Sequence, residues 1–123
     1  MKRLALLCAL ILAPLAAMAD ASGTWSATFD TQVGQQSYTF ELKVDGMKLM
    51  GTAKSSIAGA ENPVAELTNG KVEGDTISFT ENLKYQGMDL VITYTGKMVS
   101  DDEIQFTREV AGIMEQLVAK RVK

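Results

Sequence analysis

Apolar and polar residues alternate with period two along most of the chain after Gly23. Over residues 23–30, Trp25, Ala27 and Phe29 share one parity, and Thr24, Ser26 and Thr28 take the other. Over residues 38–44, Tyr38, Phe40, Leu42 and Val44 alternate with Thr39, Glu41 and Lys43. This pattern predicts antiparallel strands with one buried face. Asp45-Gly46 follows directly, and that dipeptide tolerates the positive φ of a tight hairpin. Further strands are expected at residues 47–54, 65–73, 76–83, 88–99 and 103–110. In the strand from 88, Met88, Leu90, Ile92, Tyr94 and Met98 lie on one face. Turns are expected at 74–75, 84–87 and 100–102. Residues 55–63, with Gly59, Asn62 and Pro63, read as the longest irregular loop.

The end of the chain is ambiguous. Val110, Ile113, Met114, Leu117 and Val118 fit helical spacing, whereas Leu117, Ala119 and Arg121 fit a strand. A turn or helical turn at 111–115 and a last strand to about Val122 are favoured, because seven strands leave an open edge and an eighth seals a barrel. Residues 70–80 and 96–107 form a weak repeat of strand, acidic turn and strand, a hairpin used twice in a meander. The fold class expected is all-β: an eight-stranded antiparallel up-and-down barrel.

The first residues follow different rules. Lys2 and Arg3 precede an apolar run from Leu4 to Leu15, and Ala17-Met18-Ala19 supplies small residues at the key positions of a cleavage site. This is the pattern of a secretory signal peptide over residues 1–19, cut before Asp20. The run is shorter than the ~20 residues a spanning helix needs. Leu7 before Cys8 breaks a lipobox, so lipidation is not expected. Removing residues 1–19 takes away Lys2, Arg3 and Cys8 and no acid. It leaves one domain of 104 residues, 20–123, and moves the formal charge from −3 to −5. The expected location is periplasmic or secreted, with no membrane span after cleavage.

Composition then excludes chemistries. The chain has no His, the commonest general base and metal ligand. Its negative charge argues against nucleic acid. Neither a nucleophile elbow, a P-loop nor a dinucleotide fingerprint is present. Glu41, Glu66, Asp75, Glu81 and Asp89 are the carboxylates that could in principle supply a pair for glycoside hydrolysis, and their spacing does not show that any two converge. Asp101-Asp102-Glu103 lacks calcium-loop spacing, and Met47, Met50, Met88, Met98 and Met114 lack the clustering and the His or Cys partners of a copper site. No enzyme activity, cofactor or metal is expected. The outward parity (Thr39, Glu41, Lys43, Asp89, Thr93, Lys97) is polar, unlike the outer band of a membrane barrel.

Gly23-Thr24-Trp25 resembles the G-x-W start of the calycin group, the lipocalins and avidins, and residues 40–52 are similar to the second hairpin of avidin-like chains. The resemblance implies a basic residue near the last strands packed over Trp25, and Arg108 and Arg121 are the candidates. Avidins wall their biotin site with several Trp residues, and this chain has one. It also lacks a lipocalin-type Thr-Asp-Tyr. The resemblance therefore implies a barrel with a small ligand rather than biotin or a large lipid. Residues 70–79 are also similar to small exported bacterial domains that stand alone or are appended to carbohydrate-active enzymes. The expected function is binding of a small, mostly apolar molecule. Trp25, Tyr38, Phe40, Tyr94, Arg108 and Arg121 are the candidate ligand-binding residues, at a mouth formed by loops at 31–36 and 55–63. The alternative is a protein-interaction module with a packed core, contacting an exported protein partner through outward Val91, Val118 and Val122.

Overall fold

The computed structural model describes residues 20–123, so the expected signal peptide lies outside the described residues. Strands β1 (Gly23–Thr31), β2 (Gly34–Asp45) and β3 (Lys48–Ile57) run in meander order, and the two-residue β4 (Ala60–Glu61) folds back on the end of β3. The meander continues through β5 (Ala65–Glu73), β6 (Thr76–Tyr85), β7 (Met88–Ser100), β8 (Glu103–Val110) and β9 (Ile113–Arg121). Pairing of β1 with β9 closes a ring of eight strands, with β4 as an appendage. The barrel is all-β, antiparallel and up-and-down.

The alternation read from the sequence is the inside–outside alternation of the wall. Trp25, Ala27, Tyr38, Phe40, Leu42, Ile92, Tyr94, Met98, Ile104 and Phe106 are buried in one core. One strand switches parity. In β5, Leu67 is buried and Val72 packs inward on the opposite parity. An extra residue lies between Thr68 and Lys71 relative to β6, and Asn69 takes φ 54°. This is a β-bulge, which bends the strand and re-aims its side chains.

The turns correct three expectations. Residues 55–57 are not loop but the end of β3. Ala58 and Gly59, at φ 53° and 84°, make a two-residue hairpin into β4, the turn form whose twist matches the flanking strands. Residues 31–36 are not a loop either, since Thr31 pairs with Gly34 and Phe29 with Gln36. At the C-terminus, Ala111 and Gly112 stand at φ 50° and 82°, so β9 starts at Ile113 and residues 111–115 hold no helical turn. The turns at 32–33, 58–59, 86–87 and 111–112 all lie at one end of the barrel, the mouth. Residues 20–22 and 122–123 and the remaining turns lie at the other, the base.

Gly96 shows how tightly the middle is packed. It faces Phe106 across β7 and β8, and a Cβ there would lie 2.4 Å from Phe106 Cδ1. Gly96→Ala is therefore expected to cost about 1–3 kcal/mol in urea unfolding. Much of that loss should be recovered in the double variant with Phe106→Leu, because the two positions share one space.

Candidate functional site

The base is closed by one contact. The Arg121 guanidinium lies 4.4 Å from the Trp25 ring centroid, a cation–π geometry. Its nitrogens donate to the carbonyls of Asp101, Ser22 and Asp20 at 2.7, 2.7 and 2.8 Å. Trp25 Nε1 donates to the Ala21 carbonyl at 2.9 Å. The glycine of Gly23-Thr24-Trp25 has a local reason. Its φ is 133°, and a Cβ there would meet Arg121 Nη1 at 2.9 Å, so glycine leaves the path open for the arginine. Of the two candidate arginines, Arg121 makes the contact that the resemblance implies.

Above the base the barrel is solid. Phe40 packs on Phe79, Tyr94 and Phe106 with centroids 5.8, 5.7 and 5.9 Å away. Phe79 stacks on Tyr94 at 4.7 Å. Centroid separations of this kind are the preferred aromatic spacings.

On this layer stands a buried polar network centred on Arg108. The sheet register sets Tyr94, Arg108 and Glu115 directly opposite one another on β7, β8 and β9, close enough for cross-strand contact. Arg108 is 2% exposed. Its Nε donates to Glu115 Oε1 at 2.8 Å, and Nη2 lies 2.8 Å from the same oxygen. Nη2 also donates to Gln36 Oε1 at 2.8 Å, and Nη1 donates to the hydroxyls of Tyr94 and Tyr38 at 2.9 and 3.1 Å. Each of the five guanidinium N–H groups thus faces an acceptor. The two phenols pass the chain on, donating to the two oxygens of Glu81 at 2.8 and 3.0 Å. Gln36 Nε2 donates to Thr31 Oγ1 at 3.0 Å. Phe29 covers the guanidinium, with its centroid 4.7 Å away. Among the described residues no buried side-chain nitrogen or oxygen lacks a partner.

Burial dominates the acid–base behaviour. It pushes the Glu81 carboxyl up, while the hydrogen bonds of Tyr94 and Tyr38 and the charge of Arg108 pull it back in part. Burial, then the charge of Glu81, pushes the Tyr38 hydroxyl up to about 12, and the same causes hold Tyr94 well above the usual phenol range.

The network is the floor of a pocket of about 220 Å³. Val33, Ile57, Leu83, Tyr85, Met88, Leu90, Ile92, Val110 and Ile113 supply an apolar wall, and Gln36, Arg108 and Glu115 supply the polar floor. Val33, Met88 and Ile113 are exposed at 52, 54 and 43%, so the space opens to solvent at the rim. A second groove borders it. Beyond Trp25–Arg121 and Ser26–Lys120 the ladder between β1 and β9 stops, and Asp30, Thr31, Gln32 and residues 113–116 line the gap. Glu115 borders both spaces.

Of the six candidate ligand-binding residues, Arg108 lines this pocket. Tyr38 and Tyr94 lie beneath it and hold Arg108. Phe40 belongs to the aromatic layer, and Trp25 and Arg121 stand at the base, the opposite end of the barrel. Sequence reasoning missed Gln36 and Glu115 and left Glu81 as one of five unpaired carboxylates. Each is a polar residue on an otherwise apolar parity: Gln36 before Tyr38 and Phe40, Glu81 between Phe79 and Leu83, Glu115 before Leu117 and Ala119. That mismatch is the signal that finds them. Outward Val91, Val118 and Val122 are exposed at 63, 44 and 49%, and Val91 pairs with Asn82 and Val118 with Gln105. Among the described residues no three metal-ligating side chains come together, and no helix is long and apolar enough to cross a membrane.

No protein-family model matches the chain, and no curated protein matches it. Two solved structures share the fold. A redesigned β-barrel, b11L5F_LGL, is 14% identical over 83% of this chain and 90% of that one, with a TM-score of 0.65. The redesigned β-barrel mFAP1, bound to DFHBI, is 11% identical over 82% of this chain and 94% of that one, with a TM-score of 0.66. At these identities the likeness defines the class, an eight-stranded antiparallel barrel, and assigns no family.

Removing Arg108 strands two carboxylates. Arg108→Met is expected to cost about 3–5 kcal/mol at pH 7 in urea unfolding. The variant's Glu81 loses the charge that pulled its pKa down, so its folded pKa rises further above the unfolded value. That contribution is fully favourable below the unfolded pKa and is lost as pH rises through the folded one, so the deficit should shrink from pH 7 to pH 5. The phenols have the same sign: their contribution is complete below about pH 10 and drains as pH rises towards 12. In Tyr85→Phe, where Tyr38 and Tyr94 are the remaining tyrosines, phenolate absorbance at 295 nm should be nearly absent at pH 11 in the folded protein and appear on unfolding in urea.

Proposed function

We propose that this chain is an exported, non-catalytic carrier or receptor barrel, periplasmic or secreted, that holds a small and mostly apolar molecule at its mouth. The observation that carries the reading is the pocket. An apolar, solvent-open space sits over a polar floor whose guanidinium is fully hydrogen-bonded, while the rest of the interior is packed. A few fixed polar groups in an apolar recess are what small-molecule sites share. The volume suits a molecule of roughly one or two rings. The structural likeness to mFAP1, which is bound to the small molecule DFHBI, supports a barrel of this size as a ligand host. Arg108 has its bonds within the fold, so it fixes the floor rather than exchanging protons with a ligand. Export rests on the pattern of residues 1–19.

Native mass spectrometry of protein recovered from an exported preparation tests both parts. The expected species is the 104-residue chain beginning at Asp20, carrying an adduct that leaves on denaturation. Leu90→Trp, which fills the pocket from its partly exposed wall, should remove the adduct without unfolding the barrel. A bare mass overturns the pocket reading, and an uncleaved 123-residue mass overturns export.

A further inference from the structure

We infer that the mouth pocket selects a molecule with an apolar body and a protonated amine or similar cationic nitrogen, which docks on the second carboxylate oxygen of Glu115. The inference rests on the proposed ligand-binding reading and names its ligand class. An arginine under an apolar pocket suggests an acid, but the geometry here points the other way. Every N–H of Arg108 already faces an acceptor: Glu115, Gln36, Tyr38 or Tyr94. An anionic group could reach the guanidinium only by breaking one of these buried bonds, and would leave the displaced partner unsatisfied. It would also approach the Glu115 carboxylate, which lines the pocket.

What the floor still offers is an acceptor. Both Arg108 contacts with Glu115 fall on Oε1, and among the described residues none donates to Oε2. The Glu115 side chain is 18% exposed, and the residue borders both the pocket and the groove along the β1–β9 gap. A carboxylate oxygen at the edge of an apolar wall forms strong charge-assisted bonds with an N–H donor. Among the described residues the pocket lining contains no lysine that would compete for it. The gap beside it gives a headgroup a polar route to solvent while the apolar body stays between Leu90, Ile92 and Val110.

Three probes with one body and different heads test the inference: 1-naphthylmethylamine, 1-naphthalenemethanol and 1-naphthoate, titrated at pH 7 by calorimetry and by amide chemical shifts. The amine is expected to bind about tenfold or more tighter than the alcohol, with naphthoate weakest and the largest shifts around Glu115. In Glu115→Gln, which keeps an acceptor for Arg108, amine and alcohol should bind equally. Should that variant fail to fold, the wild-type series repeated in 0.5 M salt decides, since the amine's advantage must shrink with screening. Naphthoate as tight as the amine, or binding with no headgroup preference, overturns this inference and leaves the pocket reading standing. Failure of all three at millimolar concentration overturns both.

Discussion

The interior of this barrel is organised around one buried positive charge. A guanidinium cannot lose its proton in a protein and cannot be left unsolvated, so the space around Arg108 must be built of acceptors. Gln36 on β2, Glu81 on β6, Tyr94 on β7 and Glu115 on β9 converge on it directly or through the phenols. Apolar residues of equal volume would fill the same space without a desolvation cost. What the polar set adds is direction. Each partner is held at a fixed angle to its neighbours, which gives the pocket a floor of defined chemistry.

The molecule places its two inward arginines at different heights and in different work. Arg121 reads backbone carbonyls and covers Trp25 at the base. Arg108 reads side chains near the mouth. The layer of Phe40, Phe79, Tyr94 and Phe106 separates them. This layer also reconciles a packed core with a binding space: the large inward residues fill the lower barrel, and the rim is left hollow.

Much of the fold was legible because period two reports which face a residue takes. It placed Trp25, Tyr38, Phe40, Tyr94 and Phe106 inside, and Asp45-Gly46 marked a hairpin. Height along the barrel axis was not legible. That coordinate comes from strand register, and register comes from pairings such as Tyr94 with Arg108 and Arg108 with Glu115. Without it Trp25 and Tyr38 looked like neighbours at one mouth. Gln36 and Glu115 were hidden for another reason. Gln36 sits in a polar stretch after Gly34 that reads as loop, and Glu115 in a stretch whose apolar spacing also fits a helical turn; their inward direction is fixed by a charge more than 70 positions away in one case and on the neighbouring strand in the other.

The closing seam carries a consequence for how the chain gets there. Every other neighbour in the ring is also a neighbour in sequence, with only the two-residue β4 set between β3 and β5. The last pair joins the two ends of the domain. Arg121 meets Ser22 across 99 positions, and two ladder pairs hold the strands together. The chain entropy lost on closing a loop grows with its length, so contacts that bridge the ends come at the highest entropic cost and slow folding most. Without them β1 and β9 would be bare edges, open to pairing with any other strand. The Trp25–Arg121 contact is therefore a latch as well as a plug: it turns a ribbon of hairpins into a vessel, and it removes the edges on which misassembly would start.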